Sequence, residues 1–288
     1  MRMTVSVAVC AFLVLVMAAA AFGAGEPAVT GCHPDAAARS SPRALPVAEA
    51  RAEMLPFNVW VVAYESCVHD SERAADFGVE PFSRFVMATY TYDRLGYLID
   101  ETIHGIRGVP ASQCVYRRGA DGEILEVRHL ADDGSLTGTE TAEYSCTDGG
   151  AIVLKRTLKD PAGKAMEWTI ISHDGDGREV SRELYAGDGA LLRTYLTAYD
   201  GRGKRESVSE YDADGVLCSE TVWQYDLLRG TLLMEVTVGP AGTFMASYEP
   251  DYSGGWSVRK VFRAKPDGSS GLTWEPYETV YRTVDGYG

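Results

Sequence analysis

Cys67, His69, Asp70 and Glu72 form the densest group of chemistry-bearing side chains in the chain. Alternation along a strand puts Cys67 and His69 on one face. A thiolate and an imidazole so placed could bind a metal with a third ligand from elsewhere, or act as nucleophile and base. A thiol at a strand end beside a surface histidine is the far commoner arrangement, and none of the 5 histidines stands at ligand spacing from another. The segment His173-Asp174-Gly175-Asp176-Gly177 begins like a calcium loop, but Arg178 and Glu179 occupy the places of a further oxygen ligand and a glycine. It reads as a turn. The sequence contains no Gly-x-Ser-x-Gly elbow, phosphate-binding loop or dinucleotide fingerprint. It therefore nominates no catalytic residue, no metal ligand and no cofactor.

Aromatic side chains offer a binding site instead. Trp223 and Tyr225 share a strand face by the period of two, and so do Tyr195 and Tyr199. Exposed aromatic rows stack on sugar rings or receive an extended peptide. The same rows also hold sheets together through cross-strand pairs. These four are the expected binding residues.

A repeat of turns must position them. From Tyr90 onward, turn glycines stand at 96, 108, 122, 134, 149, 163, 177, 189, 203, 215, 230, 242, 254 and 268. Many turns share a grammar, with a bulky residue four places before the glycine and an apolar residue two after it, as in Tyr92…Gly96-x-Leu98 and Tyr211…Gly215-x-Leu217. Aspartate at the turn's start accepts hydrogen bonds from backbone two residues on, and glycine takes the positive φ that closes a type I turn with a bulge. Helices interrupted so often would be marginal. The spacing predicts strands of about nine residues, near 30 Å long. Phe57 to Val68, rich in β-branched and aromatic residues, is a strand before the repeat. The expected fold is all-β, an antiparallel meander of about fifteen strands built from hairpin repeats. A flat sheet this wide is rare, so the expectation is a twisted or rolled single layer.

The strings YDRLG, HDGDG, YDGRG and YDADG resemble the YD repeats of RHS-type proteins, in which hairpins wind into a long sheet. The Gly-x-Leu spacing is also similar to MORN-variant repeats. The resemblance spans about residues 90–275 and implies a hairpin-repeat architecture. The toxin-enclosing role of RHS shells is not expected to carry over, because the strands are too few and the sequence shows no effector domain.

Composition narrows the partners. In 288 residues, 27 Lys and Arg face 41 Asp and Glu, a net charge of −14. Nucleic-acid binding and polybasic membrane attachment are both disfavoured. Residues 1–24 read as a signal peptide: Met1-Arg2-Met3, an apolar run from Val5 to Phe22, and small residues for cleavage near 23–25. The alternatives are an uncleaved anchor helix and a lipoprotein, since Val29-Thr30-Gly31-Cys32 resembles a lipobox and would carry a lipid anchor at Cys32. Residues 25–56 read as a linker with a short helix at 46–55, residues 57–89 as a lead-in strand and loop, and residues 90–288 as the repeat domain. Export permits disulfides among Cys32, Cys67, Cys114, Cys146 and Cys218.

A membrane barrel needs an apolar row on every strand. Strict alternation puts Lys204, Glu206 and Glu210 on one face with Arg205, Ser207 and Ser209 on the other. It likewise sets Arg178 and Arg182 opposite Glu179 and Glu183. A basic residue at mid-bilayer costs about 2–4 kcal/mol, so the expected protein is soluble, periplasmic or extracellular, with no membrane span after cleavage. The function that follows is an exported, non-catalytic repeat module binding or scaffolding a protein or carbohydrate polymer through an extended sheet surface. The alternative is a cell-envelope hydrolase using carboxylates near the 57–90 junction.

Overall fold

The computed structural model describes residues 59–69, 71–76, 80–105, 109–119, 122–146, 152–251, 255–266 and 272–286. The expected signal peptide, the linker with its helix, Cys32, Asp70 and the turn glycines at 108, 149, 254 and 268 lie outside them.

Strands follow one another almost without interruption: β1 (Val59–Val68), β2 (Arg84–Tyr92), β3 (Leu98–His104), β4 (Pro110–Arg118), β5 (Ile124–Ala131), β6 (Leu136–Cys146), β7 (Ile152–Lys159) and β8 (Ala165–His173). Then come β9 (Glu179–Ala186), β10 (Leu191–Tyr199), β11 (Arg205–Asp212), β12 (Leu217–Tyr225), β13 (Leu232–Gly239), β14 (Gly242–Pro250), β15 (Trp256–Pro266) and β16 (Leu272–Gly286). Between β1 and β2 lies a helix that the sequence did not suggest, α1 (Ser71–Asp76). Each strand pairs antiparallel with its neighbours in sequence, and β1 pairs with β16. The sheet is a closed barrel of sixteen strands. The rolled sheet expected from sequence thus has no free edge, and Val59–Val68 is the strand that closes it. Closure gives the edge backbone groups of β1 and β16 partners, from Val59 opposite Gly286 to Val68 opposite Glu278.

The turns obey the expected grammar. Every turn glycine within the described residues has positive φ, from 67° at Gly230 to 116° at Gly242. At Asp93 the Gly96 N–H donates to the backbone carbonyl (3.0 Å) and the Asp93 N–H donates to the Tyr97 carbonyl (2.9 Å). The Asp93 carboxylate accepts from the N–H groups of Leu95 (2.8 Å) and Tyr97 (3.0 Å). Asp174, in the calcium-like segment, does the same for Asp176 and Arg178.

A bulge beside many turns resets the faces. It lies between Ser172 and His173 where β8 meets β9, and between Ala198 and Tyr199 where β10 meets β11. Arg205 therefore lies on the same face as Glu210 and away from Ser207 and Ser209, and Glu179 shares a face with Arg182. These are corrections to strict alternation. Arg178 and Lys204 belong to the turns, where their N–H groups bond Asp174 and Asp200.

One face of the sheet is consistently the buried one. Val62, Tyr64, Ser66 and Val68 of β1 are buried and connect by register to Tyr90, Ala88, Arg282, Val280 and Glu278. This is the concave inner face, since side chains on strands two apart meet on it: the Tyr64 and Trp256 rings lie 5.9 Å apart. Around the closure, apolar packing fills the interior, with Val62, Tyr90, Tyr92, Leu98 and Val280 in one cluster and Ala246, Tyr248 and Val261 in another. Trp256 touches both. Further round, inner side chains are less covered: Arg193 keeps 43% of its side-chain surface exposed although it points inward. A ring of sixteen strands is wide enough that opposite walls need not meet. The outer face carries Arg128, Lys155, Glu220 and Lys260, all exposed.

Candidate functional site

Tyr195, Tyr199, Trp223 and Tyr225 all stand on the inner face of β10 and β12. Their cross-strand partners are Glu210, Arg205, Glu235 and Leu232 respectively. The structure brings the four nominated residues to one wall, but that wall is the inside of the barrel, not an exposed outer sheet surface. Each ring has a cation near its face: Arg182 lies 6.0 Å from the Tyr195 ring centre, Arg178 4.9 Å from Tyr199, Arg205 5.4 Å from Trp223 and Lys204 5.9 Å from Tyr225. Such contacts contribute about 0.5–1 kcal/mol each at exposed sites and more when dry.

Carboxylates lock the cations and rings in place. Glu235 accepts hydrogen bonds from Trp223 Nε1 (3.1 Å), the Tyr248 hydroxyl (2.9 Å) and an Arg259 guanidinium nitrogen (2.6 Å). Arg259 Nε also donates to the Tyr248 oxygen at 3.1 Å. Burial opposes the Arg259 charge, yet Tyr248 and Glu235 outweigh it and hold the guanidinium firmly protonated. Burial and then Glu235 push the Tyr248 hydroxyl well above the ordinary phenol value. On β11, Glu210 accepts from Arg193 Nε (3.0 Å) and the Ser219 hydroxyl (2.8 Å). On β9, Arg182 forks onto Glu179 at 3.1 and 2.9 Å, and the Tyr199 hydroxyl donates to the Glu179 carbonyl at 2.8 Å. Burial, then Glu210, raises Tyr195 to about 12, and burial raises Tyr225 to about 12. These phenols stay neutral donors at physiological pH. The wall thus presents flat aromatic faces interleaved with fixed donors and acceptors.

Glu235, Arg259, Arg182 and Glu210 were not nominated as site residues by sequence reasoning. The signal that could have found Glu235 is the hairpin register, which is centred on residue 229, one before the turn glycine, and sets Glu235 across from Trp223.

The Cys67 group is built differently. Cys67 faces outward and its thiol donates to the Phe82 carbonyl at 3.4 Å. His69 Nε2 lies 2.8 Å from the Thr279 hydroxyl, and its ring meets Phe82 edge-on at 5.2 Å. Burial raises the Cys67 thiol above its ordinary value, opposed by Arg84. Glu72 stands in α1. Both Cys67 and His69 are thus held by partners that carry no chemistry. No disulfide links Cys67, Cys114, Cys146 and Cys218 to one another. Among the described residues no group of three His, Cys, Asp or Glu is disposed to hold a metal ion, and no helix is long and apolar enough to cross a membrane.

No protein-family model matches the chain, and no curated protein matches it. Among solved structures, a porin-like protein from Bacteroides uniformis is similar over 79% of this chain and 98% of its own, at 13% identity and a TM-score of 0.36. One from Bacteroides vulgatus covers the same shares, 79% and 98%, at 11% identity and a TM-score of 0.34. A TcdB2-TccC3 toxin structure covers 72% of this chain and 17% of its own, at 10% identity and a TM-score of 0.20. Likenesses this slight carry no functional argument.

Proposed function

We propose that this protein is an exported module that binds an extended polymer, carbohydrate or polypeptide, along the aromatic wall inside its barrel, and that binding on this wall is non-catalytic. The observation that carries the reading is the convergence of Tyr195, Tyr199, Trp223 and Tyr225 on one inner wall among paired Arg and Glu side chains. Rings stack on sugar faces or peptide planes, while the fixed carboxylates and guanidinium groups give hydrogen bonds that set orientation. The wall spans several strands, which suits a long ligand better than a small one. Export is supported by the apolar run from Val5 to Phe22, with attachment through lipid on Cys32 as a variant of the same destination. Charged residues on the outer face favour a barrel surrounded by water.

Co-sedimentation of the full chain with insoluble envelope polysaccharide, alongside a polypeptide fibre, tests the reading. A ring at the centre of a binding wall contributes about 2 kcal/mol, close to thirtyfold in affinity. Trp223→Ala and Tyr195→Ala should each weaken capture on that scale. Capture unchanged in both variants would overturn it.

A further inference from the structure

The wall across the barrel from the aromatic band holds side chains of another kind; in the ring of sixteen strands, β4 stands opposite β12. Cys114 of β4 pairs directly with His129 of β5, and Glu140 of β6 pairs with Val127, one inner-face position along β5 from His129. All three side chains are on the inner face. Cys114 Sγ lies 3.3 Å from His129 Nδ1. At the far side of the ring, Nε2 is buried, makes no hydrogen bond and stands 3.8 Å from Glu140 Oε2. Glu140 is in turn held by Arg156 of β7. Thiol, imidazole, carboxylate and guanidinium follow in order, with a gap wider than a hydrogen bond between imidazole and carboxylate. With the S–H pointing at Nδ1, the ring proton sits on Nε2 and faces the carboxylate.

We infer that Cys114 is a nucleophile with His129 as its base and Glu140 as the residue that positions the base, acting on an acyl compound, an ester or amide, that enters the barrel. A nucleophile within hydrogen-bond reach of a base that is oriented by a third group is the signature of covalent catalysis. Contacts of this kind commonly tighten only when substrate is bound, which suits the open gap between Nε2 and Glu140. As sulfur attacks the carbonyl carbon, His129 Nδ1 takes the thiol proton and a C–S bond forms. The acyl C–O or C–N bond then breaks, and its electron pair leaves on the oxygen or nitrogen, which receives the proton from His129. Water next attacks the thioester, giving a proton to His129 and hydroxide to the acyl carbon. The departing sulfur recovers its proton from the imidazole.

The surroundings decide which form the thiol rests in. Burial, then Glu101 and Glu140, push Cys114 up to about 12. The thiol is therefore protonated at rest, and its proton must move to His129 during attack, as in a hydroxyl–histidine pair. Glu101 accepts the Tyr116 hydroxyl at 3.1 Å and rests above the ordinary carboxylate value, chiefly through burial.

This inference does not depend on polymer binding by the aromatic wall. The test treats the full chain with p-nitrophenyl acetate and follows p-nitrophenolate release, with peptide mapping of the acetyl adduct. The adduct should form on Cys114 in preference to exposed Cys146, and release should fall at least about tenfold in both His129→Ala and the size-preserving His129→Gln. Glu140→Gln should slow release and shift its pH profile, and Glu140→Asp should restore part of the rate. Cys146→Ser should change nothing. Circular dichroism confirms that each variant keeps its strands. Adduct spread over all thiols, or release unchanged in the two His129 variants, would overturn the inference.

Discussion

Glu235 accepts from Trp223, Tyr248 and Arg259 at once in a dry part of the barrel, with only 5% of its side chain exposed and 12% of Arg259. Removing one partner from such a pair leaves the other charge buried and alone, which costs about 3–5 kcal/mol. Glu235→Ala should lower unfolding stability by that amount in urea titration, and the double variant Glu235→Ala/Arg259→Met should recover most of it. A double variant as unstable as the single would show that the ring contacts, not the charge, carry the loss. The phenols on the same wall make a second prediction. Burial pushes Tyr195 and Tyr225 up to about 12 in the fold, against about 10 for an unfolded chain. The folded state thus holds more protons between those values, and stability must fall as pH rises through the window. Phenolate absorbance for these two residues should appear together with unfolding, and their ionisation near pH 10 in a folded chain would contradict the burial. Sequence reasoning reached the rings because alternation within one strand shows them. It missed Glu235 and Arg259 because they lie on other strands, where only the register of several hairpins brings them together.

At the scale of the hairpin, the glycine positions were legible because turn chemistry is local: an aspartate within reach of two N–H groups and a residue free to take positive φ. Which face a side chain occupies was less legible, since a bulge beside a turn inverts the alternation there. That inversion puts Glu179 beside Arg182 and Arg205 on the same face as Glu210, placements that a strict period of two forbids. Two glycines separate the roles of backbone and space. Gly215 has a φ of +77° and nothing within 4 Å of an added Cβ, so Gly215→Ala meets only the strain of a left-handed residue, about 1–2 kcal/mol. Gly187 has no such φ, but a Cβ there would strike the Ala165 carbonyl, which belongs to the ladder and cannot give way. Thermal melting should therefore rank wild type above Gly215→Ala and Gly215→Ala above Gly187→Ala. The reverse order would mean that the turn, rather than the close approach of β8 and β9, limits stability.

At the scale of the whole molecule, closure was the part that sequence reasoning left open. The pairing of β1 with β16 joins Ser66 to Glu278, whose side chains hydrogen-bond across 212 positions, and no local pattern signals a contact so distant. What the sequence does contain is β1 itself, a strand lying before the repeat with Val62, Tyr64, Ser66 and Val68 on its buried face. Of these, Val62 and Tyr64 anchor the apolar packing at the seam, against Tyr90, Tyr92 and Val280. Without β1 the ring would have two free edges, β2 and β16, each presenting unpaired N–H and C=O groups beside newly exposed valine and tyrosine. Such edges recruit other chains. A chain beginning at residue 57 should therefore remain monomeric in size-exclusion chromatography, whereas one beginning at residue 69 should form oligomers and gain protease sensitivity in β2 and β16. A synthetic peptide of residues 57–68 added to the shorter chain should restore the monomer by filling the gap between the two edges. A monomeric, protease-resistant chain from residue 69 without the peptide would mean that β2 and β16 close the ring by themselves, and the seam would then hold no special place in the fold.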